Sequence, residues 1–254
     1  MPLHSDVAVC VRVWDWSETS QTVSLFSRSL GLLRCLAKGA KRNTTPAFSG
    51  GVELLAVGAI TAHIKPGREL NILAGWDLTE TFPTLRRDLA CHYAGLYAAE
   101  LVQRLAADHD PHPGLFDALL AFLRGLTSRS AVHPALLRFQ WAALHEAGYR
   151  PALDRLLPSG APKPEKARAF QFDPSLGGLT AADPPASSAQ AQWMLRAATV
   201  DALARVGAGE SGAAESLEPA TGARAARFLA AYLRHVLGAQ PATLALVFPD
   251  LAAP

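Results

Sequence analysis

The chain has 254 residues, of which 50% are hydrophobic and 18% are charged, a composition that excludes disorder, collagen and coiled coil. This length predicts about one to two globular domains that bury a core without disulfides or a structural metal. The formal net charge of +2 is too small to indicate a polyanionic partner by itself, so a basic surface requires local clustering of cations.

The cysteine pattern and the N-terminus indicate a reducing compartment. Cys10, Cys35 and Cys91 are far apart in the sequence and form no CxxC pair, so neither a disulfide framework nor a thiolate zinc site is expected. The chain begins without a basic segment followed by an apolar one, and its most apolar stretch, residues 52–64, is interrupted by Glu53 and His63. We expect a cytoplasmic protein with no membrane partner.

The first 80 residues show a β-type pattern. Residues 7–13 carry valines at every second position, which predicts a strand with the valines on one face. Further β-type runs follow at 22–26, 32–37, 52–64 and 69–76, separated by glycine and proline. These runs are too close for crossover helices, so we predict a mainly antiparallel, five-stranded barrel.

After residue 83 the apolar residues follow a helical period. Helices are predicted at 85–105, 114–126, 133–147, 190–206 and 221–237. Residues 157–188 are rich in proline and glycine and cannot form a continuous helix, so we interpret them as an insertion or linker. The predicted fold class is α+β, with a barrel domain at 1–80 and a helical domain at 81–254 that is interrupted at 157–188.

Five cations occupy an interval, residues 19–52, that contains no acidic residue: Arg28, Arg34, Lys38, Lys41 and Arg42. Its centre, residues 37–42, reads as a glycine-permitted turn at a strand end, so these cations should project from a surface loop. Phosphate contacts from such a loop, with Trp14, Trp16, Phe26 and Phe48 as stacking surfaces, are typical of single-strand binding. The alternative is a solvated basic loop with these aromatic residues in the core.

Catalytic and metal-binding patterns are weak. Residues 108–112 contain two aspartates and two histidines, but a proline-rich turn offers no regular ligand geometry. Cys91 and His92 are adjacent, so on a helix their side chains diverge by about 100° and cannot easily pair as nucleophile and base. No GxSxG or HExxH hydrolase motif and no P-loop occurs. We predict no catalytic residue, no metal and no cofactor.

A second basic feature lies in the predicted helical part of the chain. Arg124, Arg129 and Arg138 lie beside leucines and Phe139, a combination that suits an acidic peptide with a hydrophobic end. The alternative is that these arginines only solvate the outer faces of amphipathic helices.

The ordered set of segments resembles the RecO family of bacterial DNA-repair mediators over nearly the whole chain. The resemblance is carried by VRVWDWSETS at 11–20, LFS at 25–27 with Gly31, AKGAKR at 37–42, LFDALL at 115–120, LRF at 137–139, LHEAGY at 144–149, FDPSLGG at 172–178 and the final helical segment at 224–238.

The resemblance implies an N-terminal OB-fold, a helical domain and a zinc-ribbon-like insertion that four cysteines hold in many members. Here the positions of those cysteines, near 155–160 and 179–183, carry none, so we expect no zinc and an insertion that is held by packing of Phe170, Phe172 and Leu176 or is mobile.

The resemblance also implies binding of single- and double-stranded DNA, annealing of complementary strands, and help in loading RecA onto strands coated by single-strand-binding protein, with RecR as a partner. Lys38, Lys41 and Arg42 are the predicted phosphate contacts, with Arg34 and Arg12 as further candidates. Arg124, Arg129 and Arg138 are the candidates for receiving the C-terminal tail of the single-strand-binding protein. The alternatives are a protein-interaction scaffold whose barrel binds protein and not DNA, and an enzyme that uses Cys91 or the 108–112 turn.

Overall fold

The computed structural model describes residues 3–42, 46–48, 50–65, 69–181 and 193–251. The chain divides into two compact units, the first comprising Met1–Arg129 and Pro241–Val247 and the second comprising Ser130–Gln240 and Phe248–Pro254. Each unit is described separately below.

The first unit contains a closed barrel of five strands among the described residues: β1 (Leu3–Asp15), β2 (Gln21–Ser27), β3 (Gly31–Ala37), β4 (Val57–His63) and β5 (Asn71–Glu80). The order around the barrel is β1, β2, β3, β5, β4, with β4 paired back to β1. All of these pairings are antiparallel except that of β3 with β5. The prediction of a mainly antiparallel five-stranded barrel is confirmed.

The prediction that the valines of β1 share one face is wrong, because β1 contains a bulge. The pairing with β2 shifts between Cys10 and Arg12. Ala8 and Cys10 belong to the barrel core before the bulge, and Val13 packs against that core after it. A bulge inserts one extra residue and so reverses which alternate positions face inward.

The strand predicted at 52–64 begins only at Val57. Leu55 has a φ of +59°, a left-handed conformation that no regular strand contains. The backbone N–H of Leu55 donates to the carbonyl of Cys10 at 2.8 Å, and the N–H of Cys10 donates to the carbonyl of Ala56 at 3.0 Å. These bonds hold the segment against the bulged part of β1.

The helices of the first unit are α1 (Pro83–Arg87), α2 (Leu89–Leu105), α3 (Pro113–Gly125) and a short α7 (Leu244–Val247) near the C-terminus. The long helix predicted at 85–105 is interrupted at Asp88, which has an extended conformation and caps α2 by accepting a hydrogen bond from the N–H of Cys91 at 3.1 Å. Proline starts α1 and α3, as expected for first helical positions.

The second unit combines helices α4 (Val132–Glu146), α5 (Ala197–Gly207) and α6 (Pro219–Val236) with a five-stranded sheet. The strands are β6 (Ala152–Leu157), β7 (Ala161–Pro162), β8 (Ala169–Asp173), β9 (Gly178–Thr180) and β10 (Trp193–Arg196), in the order β10, β8, β9, β6, β7. The part of the chain after residue 81 is therefore not all helical, and the sheet begins before residue 157. Residues 182–192, which include the end of the predicted insertion and the start of the helix predicted at 190–206, lie outside the described residues.

The helix predicted at 190–206 is wrong for its first part. Trp193–Arg196 is a strand that pairs antiparallel with β8, and the helix begins at Ala197. Pairing places Trp193 opposite Phe172, whose ring also contacts Phe228 and Tyr232 of α6 at centroid distances of 4.9 and 5.2 Å. This tertiary packing outweighs the local helical pattern.

Candidate nucleic-acid interface

Two cations of the predicted DNA-binding set lie in one row across the barrel surface. Arg12 of β1 is paired with Ser24 of β2, and Ser24 is paired with Arg34 of β3. Residues that are paired across neighbouring strands project to the same side of a sheet. Val23 and Leu25, the neighbours of Ser24, belong to the barrel core, so the row faces outward.

Trp14 lies one side-chain repeat beyond Arg12 on the same face of β1. Its side chain is 41% exposed, and the guanidinium carbon of Arg12 lies 5.0 Å from the centre of its ring. Trp16, in the turn after β1, is 63% exposed. Phe26 and Phe48 are buried in the first unit, so their prediction as stacking surfaces is wrong and that of Trp14 and Trp16 agrees with their exposure.

A groove of about 710 Å³, here called the barrel groove, runs beside this row. Arg12, Trp14 and Arg34 line the barrel side, and the other side includes Glu100, Gln103, Arg104, Ala242 and Thr243. The sequence reasoning missed the residues of α2, because a helical pattern identifies an apolar stripe but does not show which polar residues border a groove.

The walls of the barrel groove are fixed by hydrogen bonds. The amide of Gln103 donates to the carbonyl of Val11 at 3.1 Å. The carboxylate of Glu100 accepts from the backbone N–H of Thr243 at 2.8 Å and from its hydroxyl at 2.6 Å, and it forms an ion pair with Arg104 at 2.8 Å. Burial raises the pKa of Glu100, but the bonds from Thr243, Ala242 and Arg104 outweigh it and lower the pKa overall.

The basic loop after β3 is tied to the turn between β1 and β2. Gly39 has a φ of +67°, a conformation that glycine adopts without strain, and its N–H donates to the hydroxyl of Ser20 at 3.1 Å. The N–H of Lys41 donates to the carbonyl of Thr19 at 3.1 Å. The loop therefore lies at the end of the barrel where β1 reaches Trp14 and Asp15.

The cations of this loop differ in their partners. The ammonium of Lys41 forms an ion pair with Asp15 at 2.5 Å. Lys38 and Arg42 are exposed, and within the described ranges neither has a carboxylate within the 4.0 Å that defines an ion pair. A phosphate that approaches the loop therefore does not have to displace a carboxylate to contact Lys38 or Arg42.

The fold supplies carboxylates to two other cations of the acid-free interval. Arg28 is paired with Asp117 of α3 at 2.9 Å, and the hydrogen bond from Arg28 lowers the pKa of Asp117. Arg34 is paired with Asp108 at 3.6 Å. A sequence interval that lacks acidic residues is thus partly neutralised by residues that are distant in sequence.

The acid- and histidine-rich turn at 108–112 packs against β3 of the barrel. Asp108 forms a parallel bridge with Leu32, and the N–H of His109 donates to the carbonyl of Leu32 at 3.1 Å. A Cβ on Gly31 would lie 2.4 Å from the carbonyl oxygen of Asp110, so this turn packs directly on β3. No group of three potential metal ligands occurs among the residues that the structure describes.

The thiols are poorly suited to nucleophilic chemistry. Burial raises the pKa of Cys10 and of Cys35 to about 12. Burial, followed by the charge and hydrogen bond of Asp88, raises the pKa of Cys91 to about 11. A thiol with a raised pKa carries little thiolate near neutral pH. The raised pKa of Cys91 therefore argues against the alternative in which Cys91 is a catalytic nucleophile.

Comparison with known proteins identifies the family. A family model described as Recombination protein O N terminal matches residues 1–82, and one described as Recombination protein O C terminal matches residues 86–245. The chain belongs to the RecO family. Its function therefore lies in DNA repair and recombination.

Individual RecO proteins agree with the family match. The chain is 34% identical over 230 residues to the DNA repair protein RecO of Anaeromyxobacter sp. strain Fw109-5, covering 90% of this chain and 89% of that protein. It is 31% identical over 239 residues to that of Myxococcus xanthus, covering 94% of each chain. It is 36% identical over 173 residues to that of Rhodopirellula baltica, covering 68% of this chain and 64% of that protein.

The three helical arginines of this RecO chain have different surroundings. Arg124 of α3 holds Glu80 in a two-pronged ion pair with distances of 2.9 and 2.7 Å, which lowers the pKa of Glu80. Arg129 is exposed and is the first residue of a short 3₁₀ turn, Arg129–Ala131. Arg138 of α4 lies in the second unit and is paired with Glu215. Their role in receiving an acidic tail stays a prediction.

The donor set of the second unit does not fit zinc. Cys10, Cys35 and Cys91 all lie in the first unit, and no cysteine occurs between residues 152 and 196. Phe170 and Phe172 are buried, as predicted for an insertion held by packing, whereas the prediction for Leu176 is wrong because its side chain is 49% exposed. Aromatic packing of Phe172 on α6 holds this RecO sheet.

Among the helices that the structure describes, none is long and apolar enough to cross a membrane.

Proposed function

We propose that this RecO chain is a non-enzymatic DNA-binding mediator that anneals complementary single strands. The observation that carries the proposal is the outward row Arg12–Ser24–Arg34 with Trp14 beside it on the barrel surface. Guanidinium groups neutralise phosphates, and an exposed indole offers a stacking surface for bases. Annealing needs these two properties and no nucleotide hydrolysis, since its main obstacle is the approach of two polyanions.

The barrel is proposed to be an OB-fold. Its strand order and the single parallel pairing of β3 with β5 support this assignment, because the OB-fold is a small five-stranded Greek-key barrel. OB-folds bind single strands on the surface around strands two and three, which is where Ser24 and Arg34 lie.

The wider role is proposed from the family. RecO chains are expected to assist the loading of RecA onto single strands coated by single-strand-binding protein, together with RecR, in the cytoplasm at the nucleoid. On this chain Arg124, Arg129 and Arg138 remain the candidates for the acidic tail of the single-strand-binding protein. Binding of RecR to the purified chain, measured by analytical ultracentrifugation, tests the partnership, and no complex at micromolar concentrations would contradict it.

The salt dependence of single-strand binding tests the DNA contact. We expect anisotropy of a labelled oligonucleotide to report an affinity that falls steeply between about 50 and about 200 mM salt. The double variant Lys38→Glu/Arg42→Glu should flatten the slope of log affinity against log salt by about 1.4, since each phosphate contact with a single strand contributes about 0.7. Arg87→Glu/Lys166→Glu changes the net charge equally on exposed positions that do not line the barrel groove, and it should retain the wild-type slope.

A salt-independent affinity of the wild type would contradict the proposal. It would favour the second candidate function, a protein-interaction scaffold whose barrel binds protein. The ion pairs of Lys41 with Asp15 and of Arg34 with Asp108 favour that candidate, because they reduce the charge that is available to DNA. If the chain is such a scaffold, charge reversal at Lys38 and Arg42 should leave binding of the protein partner unchanged. The same variant should then give the same result as the wild type in DNA-binding assays.

A further inference from the structure

The second unit carries a groove of about 320 Å³, here called the α6 groove, that is distinct from the barrel groove. It is bordered by α6, β10, the start of α5 and the segment after α7. The lining residues that matter here are Trp193, Met194, Arg196, Arg224, Arg227 and Arg234.

Four arginines surround this groove. Arg224, Arg227 and Arg234 are three and seven residues apart along α6, and their common presence in the lining shows that they share one face of the helix. At 1.5 Å of rise per residue they span about 15 Å along the helix axis. Arg196, the last residue of β10, adds a fourth guanidinium.

These arginines are only partly neutralised. Arg227 is paired with Asp250, and Arg234 donates to the carbonyl of Leu251. Arg224 lies 3.8 Å from Glu218 and donates to the hydroxyl of Thr221, but its buried Nε–H has no hydrogen-bond acceptor in the described part of the chain.

Arg196 is exposed, and no ion pair of Arg196 occurs among the described residues. Four guanidinium groups therefore face two carboxylates, those of Glu218 and Asp250, which leaves an excess of positive charge in the α6 groove.

The start of α5 adds to the positive potential. Arg196 is the N-cap of this 11-residue helix and makes no capping hydrogen bond with its side chain, and the first turn contains no acidic residue. Thr199, in that first turn, lines the groove. The N–H of Ala197 already donates to the carbonyl of Arg168 at 3.0 Å, and the remaining N–H groups of the first turn favour an anion beside Arg196.

The apolar part of the lining distinguishes a nucleic acid from a peptide. Phe228 and Leu251 also line the groove but are only 6% and 7% exposed, so they offer little apolar surface to the side chain of an incoming peptide. The open part combines the arginines with Trp193 and with Met194, which is 65% exposed. Cations spread along a helix beside an aromatic and a flexible apolar surface suit a strand with regularly spaced phosphates and bases.

We propose that the α6 groove binds the phosphates of a second DNA strand while the barrel groove holds the first. The inference rests on the proposed function, because annealing requires one protein to lower the repulsion between two polyanions. Two cationic grooves on one chain provide that neutralisation for both strands.

Photochemical crosslinking tests the site directly. The full chain is saturated with an unlabelled single strand and then mixed with a non-complementary strand that carries 5-iodouracil and a fluorophore. We expect the second strand to bind with a stoichiometry of one per chain and to crosslink to Trp193 or Met194. Crosslinks confined to β1–β3 would overturn the proposal.

A matched pair of variants separates the two grooves. Arg196→Glu/Arg224→Glu should lose second-strand binding and slow annealing by about ten-fold or more, while first-strand affinity changes by less than about two-fold. Arg155→Glu/Lys166→Glu carries the same charge change on exposed positions of the second unit outside the groove and should behave as the wild type. Far-UV circular dichroism checks folding, and Arg196→Ala/Arg224→Ala should give the same loss in weaker form.

Each other outcome contradicts a specific statement. If the groove variant keeps the second strand and the annealing rate, the α6 groove is not the second site and the proposed function stands. If the wild type binds no strand at all, the proposed function itself fails. If inorganic phosphate or a dinucleotide competes as strongly as a long strand, the groove is a site for a single anion. If an acidic peptide binds there and DNA does not, the groove is a protein site.

Discussion

The ammonium of Lys41 lies 2.5 Å from the carboxylate of Asp15, at the end of the barrel where Trp14 is exposed. This ion pair competes with any phosphate that approaches the basic loop. The side chain of Asp15 is 66% exposed, so the pair is a weak, solvent-screened interaction. It therefore adjusts the affinity of the loop and does not block it.

Asp15→Asn should increase affinity for single-stranded DNA. Removing an exposed carboxylate that is worth at most about 1 kcal/mol to its partner raises the affinity by about two- to five-fold at low salt. Anisotropy titration of wild type and variant measures the change, and the exposed Glu18→Gln in the same turn serves as the control. Equal or weaker binding by Asp15→Asn would show that Lys41 does not contact phosphate.

Glu100→Gln should weaken the attachment of Ala242 and Thr243 to α2. The carboxylate of Glu100 accepts hydrogen bonds from both backbone N–H groups, at 2.9 and 2.8 Å, and bonds to a charged acceptor are worth about 1.5 kcal/mol or more each. Urea unfolding near neutral pH should therefore show a less stable variant.

The pH dependence of this effect has a defined sign. The folded state lowers the pKa of Glu100, so the stabilisation is present above its ordinary value of 4.5 and is lost as the pH falls through the folded-state pKa. The difference between wild type and Glu100→Gln should narrow below about pH 4.5. A difference that stays constant down to about pH 3 would assign the effect to packing and not to charge.

Phe172→Ala should strongly destabilise the second unit. Phe172 is fully buried against Phe228, Tyr232 and Trp193, and truncation of a buried phenylalanine costs about 3–5 kcal/mol. Leu176→Ala, at a residue that is 49% exposed in the following turn, should change the free energy of unfolding by about 0.5 kcal/mol or less. Comparable losses in urea unfolding for both variants would show that the ring cluster does not hold the sheet.

Zinc should contribute nothing to this sheet. Without a cysteine between residues 152 and 196, the thiolate ligands of a zinc ribbon are missing. Protein that is purified without a metal-binding tag should contain no stoichiometric zinc by plasma emission spectrometry, and a chelator should leave its thermal midpoint unchanged. Stoichiometric zinc or a chelator-induced drop in the midpoint would refute this expectation.

Local patterns in the sequence were sufficient to predict the barrel and most helices. The spacing of β-type runs identified five strands, and the exposure of Arg12 and Trp14 on one face of β1 follows from simple alternation. The bulge between Cys10 and Arg12 was not predictable, because it depends on pairing with β2 and with the segment at 55–56.

Non-local contacts account for the other differences. Arg34 lies in a stretch of sequence without acidic residues, yet the fold places Asp108, from the turn at 108–112, beside it as an ion-pair partner. A local sequence pattern cannot predict this contact, because the two residues are distant in sequence. Trp193–Arg196 reads as the start of a helix, but pairing with β8 and the aromatic packing around Phe172 make it a strand. The α6 groove was missed for the same reason, since its arginines come from two segments, β10 and α6, that are distant in sequence.

Fluorescence-monitored annealing of two complementary oligonucleotides tests the central claim most directly. The wild type should accelerate annealing over the protein-free reaction, and Arg12→Glu/Arg34→Glu should lose about ten-fold or more of that acceleration, since it reverses both charges of the outward row. Arg87→Glu/Lys166→Glu, with the same charge change elsewhere, should retain it. Equal annealing by the wild type and by folded Arg12→Glu/Arg34→Glu would contradict the assignment of the barrel groove as the DNA site.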